Sequence, residues 1–149
     1  MPIFSNPFVL LATISLIIQA IVIFLLFYGY WLKNKANFPW HARIMTTAVI
    51  LHITMIFAFM VPAFILALIP IFIVPHLSDL TSLIALIHAP LGVAAVSLGL
   101  FLVLSWRHSG LTGCFKRKKI MIATMAVWLT ALFFGFALYA VLYWAALMS

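Results

Sequence analysis

The sequence predicts an all-α integral membrane protein, a single four-helix bundle over residues 1–149, and three observations predict it. Of the 149 residues, 68% are hydrophobic and 6% charged, so most of the chain could not face water in a globular fold of this size. Mean hydropathy is +1.35. Four uncharged runs, 8–32, 44–75, 80–106 and 120–148, each exceed the roughly 20 residues needed to cross about 30 Å of hydrocarbon. No connection between them is long enough to build a soluble catalytic domain.

The basic residues set the expected orientation. Lys33, Lys35 and Arg43 fall between the first and second runs, and Arg107, Lys116, Arg117, Lys118 and Lys119 between the third and fourth. Every Lys and Arg is thereby accounted for. Basic residues in short loops stay on the cytoplasmic side, which places 33–43 and 107–119 inside and both termini outside, in a multi-pass arrangement of the cell membrane. Tyr28, Tyr30, Trp31, Trp40 and Trp106 then lie at the inner interface and Trp144 near the outer one, as amphipathic rings prefer. The net charge of +7 is a membrane-surface feature and gives no reason to expect nucleic acid.

Helix 1, about 8–32, begins after MPIFSNPF, which lacks the basic start of a secretory signal and reads as a retained span. Thr13, Ser15 and Gln19 are its polar residues, and the Gln19 amide needs a partner on a neighbouring helix. A short turn, KNKANFPWHAR, follows, in which Pro39 is expected to break the helix. Helix 2, about 44–75, is too long for the hydrocarbon if straight. Pro62 and Pro70 predict a kink near the first and a separate or surface-lying piece from Pro70 to Pro75.

Helix 3, about 79–106, starts where Ser78 or Asp79, the one acidic residue, can cap it. His88, Gly92, Ala95 and Gly99 share one of its faces, a stripe of small residues suited to close approach by another helix or a flat cofactor. Pro90 releases the Leu86 carbonyl close to His88. Helix 4, about 120–148, lines up Thr124, Trp128, Ala131 and Gly135 on a face of the same kind. The lone Cys114 excludes an internal disulfide and reads as incidental at a membrane surface.

With one Asp and no Glu there is no carboxylate pair for acid–base work or for magnesium, and hydrolytic and nucleotide motifs are absent. Imidazole and thioether remain, a set that suits copper or heme iron. On helix 2, His41, Met45, His52 and Met55 lie within about 40° of one line at 100° per residue. His52 and Met55 are close enough to chelate one soft metal, or else His52 bonds across the bundle and the methionines fill gaps. His76 and His88, with Asp79 in support, form a conceivable outer copper site. A heme between His52 and His88 requires a common depth, whereas their places along the runs suggest a difference of about 10–15 Å. Copper, heme b and no cofactor all stay open.

Three segments carry a resemblance. WHARIMTTAV, ALIHAPLGVAAV and KRKKIMIATMAVWLTALFFGFALYAVLY resemble the second-helix start, third-helix histidine segment and closing basic–Trp–Gly–Tyr helix of the CtaM-like family, small four-helix membrane proteins linked to heme–copper oxidase maturation. The resemblance implies that His41 and His88 are family-type functional histidines. Arg117 stands where the family has a histidine opening helix 4, and His76 is the one candidate for its histidine ending helix 2. The expected function is an accessory subunit or assembly factor of a larger membrane redox complex, of the heme–copper oxidase or copper-dependent monooxygenase type, without catalysis of its own. A b-type heme electron-transfer protein is the alternative, and a small transporter or channel a third, disfavoured by spans with so little polar lining.

Overall fold

The computed structural model describes residues 7–148; the side chains of 7–9, 67, 71–72, 109–116 and 144–148 fall outside the described set. Cys114, the Trp144 ring and the first and last residues of the chain therefore lie outside it. Four long helical elements follow one another. α1 spans Pro7–Asn34 and α2 spans Phe38–Met55. α2 continues through a π-helical turn at Ile56–Met60, one α turn at Val61–Ala63 and a π-helical stretch at Phe64–Ile73. α3 spans Leu80–Lys116 and α4 Lys118–Met148.

Each of the four is long and apolar enough to cross a membrane, which marks the chain as a multi-pass membrane protein. Burial supports this. Only 11% to 17% of each most apolar stretch is buried within the bundle, and large side chains such as Phe24, Leu66, Val93 and Phe133 point outward. A water-soluble bundle would bury those groups. Outward hydroxyls are satisfied locally: Thr47, Thr54, Ser97 and Thr130 donate to carbonyls one turn back on their own helices, as hydroxyls among apolar surroundings must.

Sequential helices are neighbours, α1 against α2, α2 against α3, α3 against α4 and α4 back against α1. The core is thin and built of small and medium residues, Val22, Leu26, Ala48, Val49, Ala95 and Leu132 around Trp128. A second cluster, Leu68, Ile73 and Ala85, joins the π-helical stretch to α3.

The connections differ from expectation in three places. Pro39 opens α2 instead of breaking it, because it falls in the first turn, where its missing N–H has no intrahelical acceptor to lose. The turn shrinks to residues 35–37. Asn37 N–H bonds the Leu32 carbonyl and Ala36 N–H bonds that of Lys33, both at 3.0 Å, with Ala36 at φ 56°. That is a Schellman closure with alanine where glycine is usual.

Residues 70–73 do not leave α2 as a separate piece. The helix widens around Pro62 and Pro70 and continues to Ile73, and Val74 N–H bonds the carbonyl of Ile69, five residues back, at 3.0 Å. Widening to the i→i+5 pattern accommodates the prolines while keeping backbone groups paired in apolar surroundings. The third difference is the expected loop at 107–119, which is helical except at Arg117. Its two glycines each weaken a helix by only about 1 kcal/mol and it holds no proline. At the other end α3 opens at Leu80, with the Asp79 carbonyl accepting from Leu83 N–H.

Candidate functional site

Three histidines enter the bundle, and each spends Nδ1 in the same way. The His41 Nδ1–H donates to the Gly29 carbonyl on α1 at 2.7 Å. That of His88 donates to the Ala131 carbonyl on α4 at 2.9 Å. His52 donates to the Gln19 side-chain oxygen on α1 at 3.1 Å. Each acceptor is an oxygen without a proton to give, so Nδ1 carries the hydrogen and a neutral ring keeps its lone pair on Nε2. This is how ligating histidines are commonly held, with one nitrogen fixed by an oxygen and the other free.

Small residues make room for these contacts. A Cβ on Gly135 would lie 3.0 Å from His88 Cε1, and one on Gly99 would lie 3.3 Å from both Trp128 Cζ3 and Val49 Cγ2. Ala95 is fully buried. Gly92, on the same face of α3, meets nothing within 4 Å, so it brings no helix close.

His52 and His88 both reach α4. The His52 ring lies 4.8 Å from that of Trp128, and His88 bonds Ala131, three residues on and about 4.5 Å along the helix axis. The depth gap suggested by the sequence is therefore too wide. α2 starts at Phe38, which carries His52 about 21 Å from its helix start, deeper than a start at residue 44 implied. The shared depth makes no heme slot, since Trp128 is 1% exposed and fills the core beside His52.

Met55, three residues on from His52 along α2, is buried as well. His76 stands apart from this layer. It sits in the exposed turn before α3, its Nδ1 3.9 Å from an Asp79 carboxylate oxygen. Among the described residues no group of three or more His, Cys, Asp or Glu side chains could hold a metal ion.

The open space lies toward the basic end. A cavity of about 400 Å³ is bounded by all four helices and floored by Trp128. Its walls are apolar, among them Met45, Val49, Gly99 and Leu129. His41 lines it, as do Lys33 from α1, Ser105 from α3 and Arg117 from the α3–α4 junction. Comparison of the chain with protein-family models, characterised proteins and solved structures yields no match. The site must therefore be read from its own chemistry.

That chemistry is unbalanced. Ser105 Oγ, Arg117 Nη1 and Trp128 Nε1 are buried without a hydrogen-bond partner among the described residues, and all three residues line the cavity. Gln19 Nε2 and His52 Nε2, behind Trp128, share that condition. Buried polar groups are ordinarily paired. Sequence reasoning missed the cavity: Lys33 and Arg117 read as orientation signals and Trp128 as packing, and nothing in their spacing shows that four helices part between them.

Proposed function

We propose that the chain is an accessory subunit or assembly factor of a larger membrane redox complex, of the heme–copper oxidase or copper-dependent monooxygenase type, and that it presents fixed imidazoles to a cofactor without performing catalysis. One observation carries this reading. The two histidines of the CtaM-like resemblance, His41 and His88, are both fastened through Nδ1 to a carbonyl of a neighbouring helix, which leaves Nε2 as the atom able to take a metal or heme iron. His41 is the more useful of the two, because it borders the cavity together with Met45, Met121 and Met125, a soft set compatible with copper or heme iron.

The basic end, where Lys33, Lys35, Arg43, Lys118 and Lys119 gather at the termini of the four helices, faces the cytoplasm in this reading. Lys33, Lys35 and Arg43 lie over the rings of Tyr30, Trp31 and Trp40 at 5.0, 5.9 and 5.5 Å, a collar suited to the headgroup region.

The test is isolation of the native protein in mild detergent. Co-migration with oxidase or monooxygenase subunits supports the proposal, and migration alone overturns the subunit role. The second reading, a b-type cytochrome, is favoured by the same anchoring of His41. It requires a Soret band from the purified chain that His41→Ala removes, and a colourless chain refutes it.

A further inference from the structure

We infer that the cavity at the basic end binds an anionic amphiphile, a carboxylate or phosphate head on a single apolar chain or ring system, with the head between Lys33 and Arg117 and the body lying toward Trp128. The inference is independent of the subunit reading, since it needs only this chain.

Charge is the first argument. Lys33 and Arg117 both line the cavity, and the single carboxylate side chain of the protein, Asp79, stands beyond the opposite end of α3. No side chain of this protein can neutralise them there. Each cation leans on a ring, Lys33 on Tyr30 at 5.0 Å and Arg117 on Phe101 at 5.4 Å, yet Arg117 Nη1 remains buried and unpartnered. A guanidinium held in that state is stabilised by an anion that accepts its unused donors. Ser105 Oγ, also unpartnered and on the same cavity wall, supplies a neutral hydrogen bond to the same head.

Shape is the second argument. Beyond these groups the walls are apolar, and the floor is Trp128, whose indole N–H is fully buried without a partner. Such a gradient from cations to hydrocarbon matches a ligand with the reverse gradient. A volume of about 400 Å³ lies toward the small end of the usual range for ligand pockets, which fits a single chain or ring system.

Two sources share this chemistry, a single-chain lipid acid and a tetrapyrrole bearing propionates. The full chain, purified in mild detergent, is titrated with oleate, oleoyl lysophosphatidate and protoporphyrin IX, each against a neutral twin: oleyl alcohol, monoolein and the porphyrin dimethyl ester. At least one acid-headed probe is expected to bind one to one and about tenfold or more tightly than its twin. Lys33→Gln with Arg117→Gln should erase that preference without lowering the unfolding midpoint of the ligand-free chain, since it removes a buried charge that has no partner there. Preference for the acyl acids assigns the lipid source and preference for the porphyrin the tetrapyrrole. Equal binding of acid and neutral twins, no binding by any acid, or full retention by the double variant overturns the inference. Should the double variant fail to fold, the comparison of acid with neutral twin on the wild-type chain decides alone.

Discussion

The imidazole of His88 occupies the space that a side chain on Gly135 would need: His88 Cε1 lies 3.0 Å from the position of a Cβ there, while Nδ1 of the same ring donates to Ala131, one turn away on α4. Ring and glycine fix the spacing of α3 and α4, the pair with the most extensive packing. Gly135→Ala must therefore push the ring or separate the helices. An overpacking cost of about 1–3 kcal/mol, offset by up to about 1 kcal/mol of helix propensity, leaves an expected net loss of up to about 2 kcal/mol, read as a lowered unfolding midpoint in mixed micelles.

Gly92→Ala is the matched control. Space is open there, so the substitution gains helix propensity of up to about 1 kcal/mol without a clash. If both variants lose stability alike, the contact between His88 and Gly135 is not what sets the first result.

The pair of Gln19 and His52 yields the second prediction. Both are buried and joined at 3.1 Å, so Gln19→Ala leaves the His52 Nδ1–H without an acceptor. Interhelical hydrogen bonds in membranes are worth about 0.6 kcal/mol on average and up to about 1.7. A double-mutant cycle with His52→Ala should give a coupling in that range. Coupling near zero would mean that each group finds another partner.

How far the sequence could be read follows from what controls each feature. Four spans follow from apolar runs alone, because crossing hydrocarbon is a matter of length and composition. Gln19 announces an interhelical bond because an amide has nowhere else to turn in lipid; its partner was not legible, since His52 lies 33 residues away on a helix whose start was misplaced. Pro39 and Pro70 misled for one reason. Proline's effect depends on its place in the helix and on whether the backbone can widen around it, and neither shows in a residue list. The cavity was the least legible feature, because it depends on how four helices diverge between Trp128 and the basic end.

Ala36 supplies a prediction in the opposite direction. Its φ of 56° places a Cβ in the left-handed region, at a cost of roughly 1–2 kcal/mol for an L-residue. Glycine removes that cost and returns part of it through greater freedom in the unfolded chain. Ala36→Gly should stabilise the protein by about 1 kcal/mol, seen as a raised unfolding midpoint. A loss would show that residues 35–37 close by some route other than the Schellman bonds.

Trp128 separates a packing role from a binding one. Its ring is 1% exposed and touches His52 and the Gly99 face, so Trp128→Ala should cost about 3–5 kcal/mol as a large core truncation. Trp128→Phe removes mainly an indole N–H that has no partner among the described residues. Loss of an unpaired donor offsets part of the lost ring contact, and the ligand-free chain should lose less than about 1.5 kcal/mol. If Nε1 instead serves a molecule in the cavity, the same variant weakens binding of the acid-headed probe several-fold while the ligand-free midpoint barely moves. A Phe variant that unfolds as readily as the Ala variant would show that the N–H has a protein partner and belongs to the core alone.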